Sequence, residues 1–176
     1  MNREQIIAIF RVLKTAYPRF YADMTKKEAE DTINLWTEMF KHDNPVIVTA
    51  AVKNLITTFK FPPTIADVKE AIYKTTSDNK TASDYWNELD YAARNCLYRE
   101  AEVFESLSEP VKKFLGNPAQ LRELAMMDAN TFSSVTKGQF LKQIEVIKQR
   151  EKEDNLMLPE TREILKTLTS KLMIGE

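Results

Sequence analysis

Thr25-Lys26-Lys27-Glu28-Ala29-Glu30-Asp31-Thr32-Ile33-Asn34-Leu35-Trp36-Thr37-Glu38-Met39-Phe40 is the stretch that decides the fold class. It opens on a capping box, in which the Thr25 hydroxyl accepts the amide three residues on and Glu28 reaches back to the cap. Ala29, Ile33, Trp36 and Phe40 then fall on one face of a helix. Asp43-Asn44-Pro45 ends it and starts the next helix, with Asn44 as cap and Pro45 in the first turn. The same spacing recurs on both sides. Ile6, Phe10, Leu13 and Tyr17 stripe an earlier helix that Pro18 stops, and Val48, Val52, Leu55 and Phe59 stripe a later one. Three consecutive amphipathic helices can bury their stripes against one another, which predicts a small helical bundle.

Further along, Phe59-Lys60-Phe61-Pro62-Pro63-Thr64 forms a rigid connection, because two prolines forbid continued helix. Thr64 and Asp67 make a second capping box for a short helix carrying Ile65, Val68 and Ile72. The apolar-free run Thr76 to Thr81 is the expected linker. The spacing therefore predicts an all-α protein with a compact N-terminal bundle of about four helices over 1–75, a polar linker at 76–81 and a second helical region over 82–176. In that region Thr81 and Asp84 cap a long helix striped by Trp86, Leu89, Ala93, Leu97, Ala101 and Phe104. Gly116 sits past the end of a short helix, and Asn117-Pro118 restarts the next. A helix from Ser134 to about Asp154 follows, and Pro159 begins the last one. The chain has only three glycines, at 116, 138 and 175, and no sustained alternation of apolar and polar residues argues for a strand.

Charge names no partner. The 176 residues carry a net charge of −1, and the parts before and after residue 76 carry +2 and −3. One cysteine excludes an internal disulfide and fits a reducing, cytoplasmic compartment. Cys96 reads as a small buried apolar residue. No apolar run reaches the ~20 residues that span a membrane, and Met1-Asn2-Arg3-Glu4-Gln5 has no signal-peptide character.

Catalysis is not expected. The single histidine, His42, ends a helix beside Asp43 and reads as a solvated loop residue. One cysteine and one histidine make no metal site, so no metal and no cofactor are expected. Three glycines so placed cannot build a phosphate-binding loop. The acid pairs, Glu30-Asp31 and Glu151, Glu153 with Asp154, lie on polar helix faces or ends and read as solvated charge. Lys53, Lys60, Lys69 and Lys74 could line one side of two successive helices, but Asp67 and Glu70 dilute them, and direct DNA binding is not expected.

What remains is the last helix. Ile164, Leu165, Leu168, Leu172 and Met173 stripe it after a charged stretch, Gln149 to Asn155. Such a face packs at home or enters a partner's groove, and these five are the candidate partner-binding residues.

The ordered set Ala16-Tyr17-Pro18-Arg19-Phe20-Tyr21, Trp36-x-x-Met39-Phe40, Ala51-Val52-x-x-Leu55 and Lys60-Phe61-Pro62-Pro63-Thr64-Ile65-Ala66-Asp67 resembles the replicative-helicase loader/inhibitor family of phages of Gram-positive bacteria. The second half, with Trp86, Val111-Lys112-x-Phe114-Leu115-Gly116 and Phe140, resembles the C-terminal region of longer phage replication proteins. The resemblance implies a compact N-terminal domain and a protein that binds a hexameric DnaB-type helicase, keeps it inactive and delivers it to an origin marked by an initiator protein. It implies a helicase-binding C-terminal region and the cytoplasm of a bacterial host as location. A DNA-binding replication initiator or regulator is the alternative reading.

Overall fold

The computed structural model describes residues 1–77 and 80–174, with side chains to residue 170. The all-α expectation holds: among the described residues there are helices and no strand. Packing divides the chain into two compact units, Met1–Ser77 with Leu156–Glu176, and Asp78–Asn155. The sequence division puts residues 156–176 with the second region; in the structure they group with the first. Asp78 and Asn79, within the expected linker, lie outside the described residues.

The first unit is built on α1 (Arg3–Ala16), α2 (Lys26–Met39), α3 (Pro45–Thr58) and α4 (Ile65–Thr76). Each start is fixed locally. Asn2, Thr25 and Thr64 form reciprocal capping boxes with Gln5, Glu28 and Asp67, and the Asn44 side chain accepts from the Val46 amide with Pro45 in the first turn. These contacts satisfy amides that a helix start leaves without partners. The Asn2–Gln5 box is an addition to the sequence reading. The Met1 ammonium donates to the carbonyls of Phe40, Lys41 and Asp43 at 2.9, 2.7 and 3.3 Å. A positive charge therefore meets the negative end of the α2 dipole.

The stripes meet as predicted. Ile6, Leu13 and Tyr17 from α1 and its C-cap, Trp36 and Phe40 from α2 and its C-cap, Val48, Val52 and Leu55 from α3, and Val68 from α4 form one buried cluster. Phe59 departs from the prediction. It is the α3 C-cap, extended rather than helical, and stays 39% exposed. Pro62 and Pro63 force the chain out of the helix there, and it is the Phe59 carbonyl that is used: the Tyr17 hydroxyl donates to it at 3.1 Å.

The second unit holds α5 (Ala82–Asn95), α6 (Glu100–Ser106), α7 (Glu109–Leu115), α8 (Pro118–Met126), the single turn α9 (Ala129–Thr131) and α10 (Lys137–Leu156). Its core is a separate cluster around Trp86, Leu89, Cys96, Val111, Leu115, Leu121, Phe132, Phe140 and Ile144. Trp86 lies 5.0 Å from Phe132 and 5.6 Å from Phe140, and Phe114 lies 4.8 Å from Phe140, ring centre to ring centre.

Two sequence expectations need correction in this unit. The long helix from Trp86 to Phe104 is two helices. The chain turns at Cys96–Arg99, where the Arg99 amide donates to the Cys96 carbonyl at 2.8 Å and Tyr98 takes φ = 63°. Leu97, expected on the apolar stripe, is exposed. Cys96 takes the buried position instead, and the turn lets α6 pack on α8. The helix expected from Ser134 begins in a π-helical turn, Phe132–Thr136, before α10. The wider turn buries both Phe132 and Thr136. Ser108 precedes α7 without capping it by its side chain; its amide and hydroxyl donate to Glu88 at 2.6 and 3.0 Å. Gly116 ends α7 at φ = 73°, where a side chain would strain the backbone.

Candidate partner-binding site

The last helix, α11 (Pro159–Ile174), belongs to the first unit. Proline in the first turn suits a helix start, because its missing amide would have no partner there. Glu160, in the same turn, meets His42: Nε2 lies 2.7 Å from the carboxylate Oε1. This hydrogen bond holds the Glu160 carboxyl below its ordinary range, with the first-turn backbone helping. His42, read from the sequence as a solvated end residue, is exposed and does contact α11.

The described part of the predicted stripe faces solvent. Ile164, Leu165 and Leu168 are 60%, 45% and 51% exposed. Their i, i+1, i+4 spacing puts them on one face, the pattern by which an amphipathic helix enters an apolar groove. The side chains of Leu172 and Met173, the other two predicted residues, lie outside the described residues. Chemically this face can dock; it carries no nucleophile and no acid–base pair.

The other candidates are not gathered into a site. Lys69 is turned to Asp43 and lies 5.0 Å over the Phe40 ring, and Lys74 pairs with Glu70 at 3.4 Å. The predicted lysine row is thus broken by its own carboxylates, with Lys53 and Lys60 left exposed. Cys96 is fully buried, with Sγ 3.6 and 3.8 Å from the Ala93 and Leu121 carbonyls, and burial pushes its thiol up. A raised, enclosed thiol is a poor nucleophile. A cavity of about 180 Å³ in the second unit is lined by Ala93, Leu124, Ala125, Met127 and Phe132 among others. Its titratable group, Arg94, is held by both oxygens of Asp90 at 2.9 Å. A broader groove lies along α5 and α6, but its carboxylates already serve the fold: Asp84 caps α5, and Glu88 accepts from Ser108 and Lys80. Among the described residues no cluster of three metal-binding side chains occurs, and no helix is long and apolar enough to cross a membrane.

Sequence reasoning passed over a surface feature in the first unit. Phe20 and Phe61, loop residues that also belong to the motifs carrying the family resemblance, stack edge-to-face with ring centres 5.4 Å apart and stay exposed. Two phenylalanines in proline-bounded loops were the available signal.

Residues 1–69 match the family model for the N-terminal domain of the helicase loader of phage SPP1. No curated protein and no solved structure gives a significant match to the chain. The match spans α1 to α4 up to Lys69, the bundle whose stripes and caps are displayed in the sequence, and residues beyond 69 lie outside it. Over this N-terminal domain the chain is similar to the phage helicase-loader family.

Proposed function

We propose that this chain binds a hexameric DnaB-type replicative helicase in the cytoplasm of a bacterial host, holds it inactive and delivers it to an origin marked by an initiator protein. The observation that carries this reading is the match of residues 1–69 to the helicase-loader domain. The exposed face of α11, Ile164, Leu165 and Leu168 with Leu172 and Met173 next along the stripe, is the proposed docking surface. An apolar stripe open to water gains free energy when a partner groove covers it.

In this reading the chain is not an enzyme. Its glycines at 116, 138 and 175 cannot form a phosphate-binding loop, so the energy for loading comes from the partners. A loader without an ATPase works by binding one helicase conformation more tightly than another and losing affinity when a further partner arrives. Swinging a helicase fully between two states needs about 10⁴-fold discrimination between them.

Light scattering of the chain with a purified DnaB-type hexamer, with and without ATP, tests this. A stable complex is expected. The double variant Ile164→Asp/Leu168→Asp is expected to weaken it by at least about tenfold, as loss of a central apolar contact does. Its helical circular dichroism should not change, since both side chains are exposed. No complex at micromolar concentration with either host or phage helicase would sink the reading. A complex indifferent to the double variant would remove α11 as the docking face.

A further inference from the structure

Two loops at one end of the first unit carry an aromatic pair that the packing of the bundle does not require. Phe20 lies between α1 and α2, and Phe61 between α3 and α4. They are 56% and 64% exposed, and their rings stand at 82° to each other. Phenylalanine has no polar tip, so two rings left in water forgo the stabilisation of burial. The loops that hold them are stiff. Pro18, Pro62 and Pro63 fix the backbone. The Tyr17 hydroxyl ties one loop to the other through the Phe59 carbonyl, and Tyr21 packs 5.2 Å from Phe10. The rings are therefore in place before any ligand arrives, which lowers the entropy cost of binding.

Basic residues outnumber acidic ones around them. Arg19 precedes Phe20, Lys60 precedes Phe61, Lys14 lies in the last turn of α1, and Lys26 and Lys27 open α2; all five are exposed. The C-terminal ends of α1 and α3 and the N-terminal ends of α2 and α4 meet at this end, as the Tyr17–Phe59 bond requires. Among the described residues none of the five cations enters an ion pair. Two of the nearby acids, Glu28 and Asp67, are engaged in capping boxes. Asp23 is the carboxylate in the loops themselves. Lys69 and Lys74, elsewhere in the unit, are by contrast neutralised by Asp43 and Glu70.

We infer that this end of the first unit binds single-stranded nucleic acid, with a base stacked on the Phe20–Phe61 pair and the flanking phosphates held by Arg19, Lys60 and the neighbouring lysines. Exposed rings beside unpaired cations are the combination that a strand with free base faces and a charged backbone satisfies. A duplex hides its base faces, and an apolar peptide would leave the cations unanswered. The net charge of −1 is no obstacle, because phosphate contacts are local and screened beyond ~10 Å.

The test is fluorescence anisotropy of the full chain, without helicase, on a labelled oligothymidylate, so its outcome is independent of helicase binding. Binding is expected to weaken roughly fifteenfold between about 50 and 200 mM salt if three phosphates are contacted. Phe20→Ala/Phe61→Ala is expected to weaken it by about tenfold or more through lost stacking. Arg19→Glu/Lys60→Glu should weaken it at least as much, and both variants should keep the wild-type helical spectrum. A duplex of the same length should compete poorly. No binding at tens of micromolar in low salt, indifference to both variants, or equal affinity for duplex would overturn the inference. So would a strand-blind chain whose helicase capture is lost with the two rings, since the pair would then be a protein contact.

Discussion

Tyr98 shows how much one residue can be asked to tolerate. It sits at φ = 63°, a region that costs an L-residue roughly 1–2 kcal/mol, and its side chain is 94% exposed, so little burial repays the strain. Tyr98→Gly is expected to raise stability by about 0.5–1 kcal/mol, after allowing for the freer unfolded chain, and the melting temperature by a few degrees. Thermal unfolding followed by circular dichroism measures it; a lower melting temperature would mean the tyrosine makes a contact that outweighs its backbone. Phe140 is the opposite case. It is fully buried between Trp86 and Phe114. Phe140→Ala should cost about 3–5 kcal/mol and shift the emission of Trp86 to longer wavelength, as the ring it touches is replaced by a cavity.

Elements in this chain are bounded by short polar signals that work the same way wherever they occur. Thr64→Ala removes an acceptor for the Asp67 amide at 3.2 Å, and about 1 kcal/mol of stability should go with it in denaturant titration. The boxes also confer a pH dependence. Hydrogen bonds from the Thr25 backbone and then its side chain hold the Glu28 carboxyl low, and those from the Thr81 side chain and then its backbone do the same for Asp84. A carboxyl whose folded value lies below its unfolded one stabilises the fold above the ordinary carboxylate range and stops doing so as pH falls through the lowered value. Melting temperature is therefore expected to fall on acidification below pH ~4. Thr25→Ala and Thr81→Ala should flatten that slope. A wild-type slope in the double variant would show that other carboxylates set it.

At the scale of the whole molecule there are two cores, each with its own tryptophan. Trp36 belongs to the cluster of the first unit and Trp86 to that of the second. The second cluster draws its buried residues from within Asp78–Asn155. A fragment of residues 78–155 is expected to unfold cooperatively in urea with helical circular dichroism and blue-shifted Trp86 emission. A broad, non-cooperative loss of signal would show that this core needs the rest of the chain.

Helices whose boundaries are set by local chemistry could be placed from the residues alone. Thr25-x-x-Glu28, Thr64-x-x-Asp67, Thr81-x-x-Asp84 and Asn44-Pro45 each satisfy amides within four residues, so no distant contact is needed to place them. The stripes ending in Tyr17 and Phe40 were legible for the same reason: a helix face is set by spacing alone. The apolar face of α11 could be seen too, as Ile164, Leu165 and Leu168, but spacing says only that a face exists. That it stands open to water, with α11 fastened through Glu160 to His42 far back in the chain, was decided by tertiary structure. The break at Cys96–Arg99 and the surface pairing of Phe20 with Phe61 belong to the same class. Apolar residues at helical spacing look alike to the local chain whether they enter a core or not, and only the fit of neighbouring helices chooses which of them are buried.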